Sequence, residues 1–138
     1  MPAIDGVYET ALYVADLIRS AEFYQRLLGF QTLVETHGRL HALAVGGRQV
    51  LLLFLKGASN QPNPVPGGVA PAHDGDGRLH VAFAISADTF EAWRQRLVEH
   101  DVLVEAVVHA PHGGSSLYFR DPDGHLIELA TPGLWRVF

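Results

Sequence analysis

The sequence predicts an α+β fold made of two tandem modules, each consisting of a strand, a helix and three further strands. One observation behind this prediction is that the same order of strand-like and helix-like segments occurs twice. The other is that short segments recur 70 residues apart: Gln-Arg-Leu at 25–27 and 95–97, and Leu-Val-Glu at 33–35 and 103–105. Two copies at so long a period do not form a solenoid but fit a pair of packed modules. Chance similarity between amphipathic helix ends is the alternative explanation.

The length and composition fit one globular domain spanning residues 1–138. Hydrophobic residues make up 48% and charged residues 18% of the 138, an ordinary balance for a chain that buries a core. We place module one at 4–56, a linker rich in Pro and Gly at 57–78, and module two at 79–134.

Several classes of function are disfavoured by composition. The net charge is −5 without a run of basic residues, which argues against nucleic acid, and no apolar run reaches the roughly 18 residues of a membrane span. The absence of Cys excludes disulfides and thiolate sites. The first residues do not resemble a secretory signal, so we expect a cytoplasmic protein. Eight His against a single Lys direct attention to metal or acid–base chemistry.

The first module begins with an alternating segment at 7–14 that predicts a strand. Asp16 is a suitable N-cap for a helix that runs to Leu28, and Gly29 follows as its stop signal. Gly46 and Gly47 predict a hairpin turn between the last two of three further strands, at 31–36, 39–45 and 49–55.

The second module repeats this order. A strand is predicted at 79–85, and Asp88 with Glu91 has the spacing of a capping box for a helix to about His100. Strands then follow at 102–109, 115–120 and 125–131, the last two joined by an Asp-Pro-Asp-Gly turn at 121–124. The Pro- and Gly-rich stretch 57–77 is predicted to hold neither a helix nor an interior strand, as in a functional lid or a disordered linker.

Three ionisable residues begin or interrupt otherwise apolar strands: Glu9, His80 and Glu128. Two carboxylates and an imidazole can hold a divalent ion and leave coordination positions open for water or substrate. The alternative is that Glu9 and His80 are solvated residues near strand starts and that Glu128 pairs with Arg120 or Arg136.

Three segments carry a resemblance to a known family: ETALYVADLIRSAEFYQRLLGF at 9–30, HVAFAI at 80–85, and SLYFRDPDGHLIELA at 116–130. They resemble the vicinal oxygen chelate superfamily, which contains glyoxalase I, fosfomycin- and bleomycin-resistance proteins and extradiol dioxygenases. The resemblance implies the glyoxalase/bleomycin resistance/dioxygenase fold, a half-open mixed β-barrel with helices on its outside. It also implies a homodimer that binds a small molecule.

The family's three metal ligands fall on Glu9, His80 and Glu128. The resemblance therefore implies a divalent ion, Mn, Fe, Ni, Zn or Mg, and a substrate with vicinal oxygens. The first ligand is commonly His or Gln in the family. A Glu at that position makes the site more anionic and favours hard ions. Glyoxalase I has a further Glu late in module one, whereas 50–55 is entirely apolar here, so glyoxalase I activity is not expected.

The spacing of His109, Tyr118 and Glu128 is similar to that of extradiol dioxygenases. By this resemblance Tyr118 hydrogen-bonds a substrate oxygen and His109 assists, which favours an extradiol-type dioxygenase or a lyase. Packing within its strand is the alternative role of Tyr118.

Arg120 and His73 are candidate substrate-binding residues. Arg120 shares a strand face with Tyr118 and suits an anionic group, or else it pairs with Glu128 or an aspartate of the following turn. His73 lies in the linker and closes over a pocket as part of a lid, or else is simply exposed at the surface. A competing function is metal-free sequestration of a drug, as in bleomycin-resistance proteins, where the negative charge suits a cationic ligand.

Overall fold

The computed structural model describes every residue from Met1 to Phe138 and divides the chain into two compact units, Met1–Asp76 and Gly77–Phe138. Each unit contains one α-helix and one four-stranded mixed sheet. The α+β class predicted from the sequence is confirmed. Neither helix has the length and hydrophobicity needed to cross a lipid bilayer.

The first unit forms a mixed sheet of the order β1-β4-β3-β2, in which β1 runs parallel to β4 and the other neighbours are antiparallel. Its first strand starts two residues later than the alternation predicted. The elements are β1 (Glu9–Val14), α1 (Leu17–Leu28), β2 (Gln31–Thr36), β3 (Leu40–Val45) and β4 (Gln49–Leu55).

Helix α1 has the two ends that the sequence predicts. The side chain of Asp16 accepts a hydrogen bond of 3.0 Å from the backbone N–H of Arg19, which satisfies one of the free N–H groups of the first turn. Gly29 adopts the left-handed conformation at φ 74°, and its N–H donates to the carbonyl of Gln25.

The linker contains no helix and no interior strand, as predicted, but it does contain a short hairpin that its composition did not predict. Residues 63–65 (β5, Asn63–Val65) and 68–70 (β6, Gly68–Ala70) form a two-stranded antiparallel hairpin. Pro64 is tolerated because the hairpin has no third strand that needs its missing N–H.

The second unit has the strand order β7-β10-β9-β8, which is the order of the first unit repeated. Strand β7 again runs parallel to the strand beside it, here β10. This shared topology is what the internal repeat predicts. The elements are β7 (His80–Ala84), α2 (Phe90–Glu99), β8 (Ala106–His109), β9 (Ser115–Arg120) and β10 (Leu126–Ala130).

Two local predictions in the second unit are wrong. Asp88 does not form a capping box, because Ala87–Thr89 is a 3₁₀ turn and no side chain caps the start of α2 at Phe90. The strand expected from residue 102 starts at Ala106 instead. The N–H of Val102 still donates to the carbonyl of Leu97, so the chain is completing the helix end where a strand was expected.

The second sheet has two chemically different faces. Its core face carries four buried apolar side chains, from Leu117, Phe119, Ile127 and Leu129. Because side chains alternate along a strand, the even-numbered residues of β7–β10 share the opposite face. This opposite face, called the open face below, carries the polar residues that form the candidate site.

Candidate metal centre

The open face brings together His80 and Glu128, two of the three predicted metal ligands. They come from the neighbouring parallel strands β7 and β10, with Glu128 directly opposite Ala82, two residues along from His80. The Nε2 atom of His80 lies 3.3 Å from Oε2 of Glu128. The parallel pairing of β7 with β10 thus brings His80 and Glu128 into contact although the two strands are 46 residues apart in the chain.

The tautomer of His80 follows from its second contact. Nδ1 lies 2.9 Å from the carbonyl oxygen of Leu126. A carbonyl oxygen only accepts, so Nδ1 carries the proton and Nε2 is left to face the carboxylate. A lone pair and a carboxylate oxygen at this separation need a proton or a cation between them. Fixing one ring nitrogen with a carbonyl is also how proteins orient histidine metal ligands.

The carboxylate of Glu128 is buried, and its two oxygens have different partners. Oε1 accepts hydrogen bonds from Ser116 Oγ at 2.5 Å and from Tyr118 Oη at 3.1 Å. These donors offset the cost of burying a charge. Because Oε1 is engaged, Oε2 is the oxygen available to a cation beside His80.

Tyr118 is held in its neutral form. Burial raises the pKa of its phenol, the hydrogen bond to Glu128 acts in the same direction, and the Ser116 hydroxyl opposes them. Its ring stacks beside that of His80 with 6.5 Å between the centroids. The site therefore contains a phenol that keeps its proton and donates it in a hydrogen bond.

Glu9, the third predicted ligand, is exposed and is the first residue of β1 in the other unit. No group of three or more His, Cys, Asp or Glu side chains is placed to hold a metal ion. The structure therefore gathers two of the three predicted ligands, and the participation of Glu9 stays a prediction.

The structure does not bring His109 to Tyr118. His109 pairs with Ser115, whereas Tyr118 pairs with Ala106, so the two side chains lie on opposite faces of the sheet. The imidazole of His109 instead hydrogen-bonds Ser115 Oγ at 2.7 Å and lies 5.8 Å from the ring of Phe90.

Arg120 lies on the open face as predicted but is paired with a residue that the sequence did not suggest. Its Nε and Nη2 donate to the two carboxylate oxygens of Glu105 at 2.8 and 2.9 Å, and its Nη1 donates to the carbonyl of Gly124. Neither Glu128 nor an aspartate of the turn, the two alternatives to substrate binding, is the partner of Arg120. The hydrogen bonds from Arg120 lower the pKa of Glu105.

His73 folds onto the first sheet. Its Nδ1 lies 2.7 Å from the hydroxyl of Tyr13, and its ring meets that of Phe54 edge-on at 4.4 Å. Its backbone N–H also donates to the carbonyl of Ser59. The end of the linker is therefore fastened to β1 and β4 through His73, which is half-buried.

Sequence reasoning missed Ser116 as a partner of Glu128. The signal was present, because Ser116 is a short polar residue in an apolar strand, on the same face as Tyr118. The side chain of His125, three residues before Glu128, has a structural role. It is fully buried and accepts a hydrogen bond from the backbone N–H of Leu79 on Nδ1, which serves the fold.

The comparisons with known proteins identify the family. The model of the Glyoxalase/Bleomycin resistance protein/Dioxygenase superfamily matches residues 6–129. The chain therefore belongs to this superfamily, and the resemblance seen in its sequence is confirmed.

Similar proteins include enzymes with three different reactions. Metallothiol transferase FosB of Staphylococcus haemolyticus is 30% identical over 132 residues, which cover 95% of this chain and 86% of that one. A catechol-2,3-dioxygenase of Bacillus subtilis is 33% identical over 120 residues, 86% of this chain but 38% of its own length. The crystal structure of a lactoylglutathione lyase from Agrobacterium tumefaciens superposes with a TM-score of 0.89 at 29% identity, covering 98% and 99% of the two chains.

Proposed function

We propose that the protein is a metal-dependent enzyme acting on a small substrate with vicinal oxygens. The observation that carries this proposal is the approach of His80 Nε2 to Glu128 Oε2 at 3.3 Å, with each side chain fixed by a further hydrogen bond. Two ligands of one divalent ion, each about 2.0–2.2 Å from it, lie roughly 3 Å from each other, so the pair fits such an ion. The superfamily membership and the enzymatic relatives also support it.

His80 and Glu128 would hold the ion, with Glu9 as the proposed third ligand. The donor set of one nitrogen and carboxylate oxygens suits Mn²⁺, Fe²⁺, Ni²⁺, Zn²⁺ or Mg²⁺. When bound, such an ion supplies Lewis-acid polarisation of substrate oxygens or, if it is iron, activation of O₂.

The residues around Glu128 supply positioning and a proton donor. Ser116 and Tyr118 both donate to the carboxylate and restrain it. Because the neutral phenol of Tyr118 has a single proton, a hydrogen bond from it to a substrate oxygen would replace its hydrogen bond to Glu128. We propose a lyase or an extradiol-type dioxygenase as the reaction class. Oxygen consumption with catechols under an Fe²⁺ load distinguishes the two classes, because only the dioxygenase consumes O₂.

The test of the metal centre is metal binding by calorimetry in three proteins. Glu128→Ala removes the candidate ligand, and Glu91→Ala removes an exposed carboxylate whose nearest cation, Arg94, is 3.9 Å away. We expect the wild type and Glu91→Ala to bind Mn²⁺ alike, and Glu128→Ala to bind it at least about tenfold more weakly. Equal affinity in all three proteins would overturn the proposal.

The competing function makes a different prediction. A metal-free drug-binding protein is stabilised in a thermal-shift assay by a cationic glycopeptide and by no divalent ion. Stabilisation by Mn²⁺ that is lost in Glu128→Ala favours the enzyme instead.

A further inference from the structure

We propose that the substrate of this centre carries a small apolar group, aryl or branched alkyl, beside its metal-directed oxygens. This inference rests on the proposed function and adds a substrate class to it. The group is received by a pocket of about 210 Å³ in the second unit, which has Glu128 in its wall. We call this space the tail pocket, because Leu134, Trp135 and Phe138 form one side of it.

The floor of the tail pocket is a patch of small side chains. Ala82 and Ala84 follow His80 on the open face of β7, and Ala130 follows Glu128 on β10, directly opposite Ala84. On this face, β7 and β10 therefore each have a candidate metal ligand followed by alanine, and because the strands are parallel the order is the same in both. The face is polar at one end and apolar at the other, and its methyl groups leave room above the sheet.

The opposite side of the tail pocket is apolar and aromatic. It is formed by Leu134, Trp135 and Phe138. The two aromatic side chains keep 75% and 58% of their surface exposed. Large aromatic surfaces in water are unfavourable, and covering them with a ligand group is favourable by roughly 25 cal/mol per Å².

The segment is anchored, so the wall has a defined position. Thr131 exchanges two hydrogen bonds with Ser115, from its own N–H to the Ser115 carbonyl and from the Ser115 N–H to its Oγ1. Gly133 donates to the carbonyl of Phe138 and closes the segment on itself. Leu134 packs closely against Gly114, where an added Cβ would come within 2.8 Å of it.

These features define the chemistry of the occupant. Polar atoms of the ligand belong at the His80–Glu128 end, where the proposed ion and the Tyr118 hydroxyl are found, and apolar atoms belong over the alanines. A cavity of about 150 Å³ lined by apolar side chains accommodates benzene, so the tail pocket holds a group of that size.

Two hydroxamates test the inference, because they chelate a metal through the same pair of vicinal oxygens. Acetohydroxamate carries a methyl group and benzohydroxamate a phenyl group. On the Mn²⁺-loaded full-length protein we expect calorimetry to show benzohydroxamate binding at least about tenfold more tightly, from the additional apolar area that it buries.

Three variants place that preference in the tail pocket. Ala84→Leu fills the floor and is expected to weaken benzohydroxamate binding far more than acetohydroxamate binding. Trp135→Ala removes the wall and is expected to reduce the preference severalfold. Val137→Ala is the matched control, because Val137 is 95% exposed and does not line the pocket. All three positions are exposed or lie on an exposed segment, so folding is expected to be retained.

The outcomes separate the two proposals. Equal affinities for the two hydroxamates on Mn²⁺-loaded protein would overturn the substrate class and leave the metal centre standing. A preference that persists unchanged in both Ala84→Leu and Trp135→Ala would do the same. A chain that takes up no Mn²⁺ would overturn the proposed function, and the inference with it.

Discussion

At the scale of single residues, the candidate centre depends on which atoms the carboxylate of Glu128 offers. Ser116 is fully buried and donates to Oε1, on the side away from His80. This contact sets the rotation of the carboxylate and leaves Oε2 toward the imidazole. Positioning of this kind decides affinity as much as the ligands themselves do.

Removing the Ser116 hydroxyl should therefore weaken metal binding without removing a ligand. We expect Ser116→Ala to bind Mn²⁺ about tenfold more weakly and to lose about 1–3 kcal/mol of stability, because Oε1 loses a buried donor. Calorimetry and urea denaturation measure the two effects. Ser86→Ala, at an exposed serine, is the control, and an unchanged Mn²⁺ affinity in Ser116→Ala would show that the hydroxyl does not position Glu128.

The Arg120–Glu105 pair predicts a pH effect. Hydrogen bonds from Arg120 lower the pKa of Glu105 below its ordinary value of 4.5. A carboxyl group whose pKa is lowered in the folded state stabilises the fold at any pH above its ordinary pKa. This stabilisation is lost as the pH falls through the lowered pKa. We expect an NMR titration to place the Glu105 pKa below 4.5 and Arg120→Gln to return it toward 4.5. A Glu105 titration that Arg120→Gln leaves unmoved would contradict the pairing.

At the scale of elements, the sequence predicts strand alternation and the two ends of α1 correctly because both are local. Asp16 and Gly29 satisfy backbone groups within one turn of the helix, so their spacing alone identifies the ends of α1. The capping box at Asp88 fails because a 3₁₀ turn moves the helix start to Phe90, a shift that depends on how the segment leaves β7.

The helix end at Gly29 gives a stability prediction. Gly29 has φ 74°, and an added Cβ would meet no atom within 4 Å, so Gly29→Ala costs backbone strain alone. We expect a loss of about 1–2 kcal/mol, measured by urea denaturation. Gly68→Ala is the matched control, because Gly68 also has open space but lacks a positive φ. Equal stabilities of the two variants would show that the left-handed cap does not matter.

Strand register explains what sequence spacing could not establish about the site. His80 and Glu128 were found from alternation, because each interrupts its own strand. The resemblance to extradiol dioxygenases implies that His109 assists Tyr118, but the register of β8 against β9 puts the two side chains on opposite faces of the sheet. The partner of Arg120 was missed for a similar reason, since Glu105 lies in a segment that the sequence assigned to the interior of a strand.

At the scale of the whole molecule, the repeat is the feature that the sequence predicts best. Both units have the same strand order, and the superfamily model spans both. The first unit ends its sheet with β2, all six residues of which are exposed. Such an edge is available for pairing with another chain.

We predict a homodimer from this exposed edge and from the family resemblance. Gel filtration should give about twice the chain mass of 15.1 kDa. Val34→Lys adds a charge at an apolar residue of β2 that is 51% exposed, and we expect it to shift the protein toward the monomer. Val98→Lys, at a helix position that is 66% exposed, controls for added charge. A wild-type protein that elutes as a monomer would refute the prediction.

His80, whose ring hydrogen-bonds the Leu126 carbonyl, lies on a strand at the edge of its sheet. Strand β7 is the outermost strand of its sheet, and edge strands open most readily in local fluctuations. An ion bound by both His80 and Glu128 would link this outer strand to its neighbour β10. Metal loading should therefore slow amide hydrogen exchange in residues 80–84 more than in β9. The exchange rate of this edge strand would then report whether the metal centre is occupied.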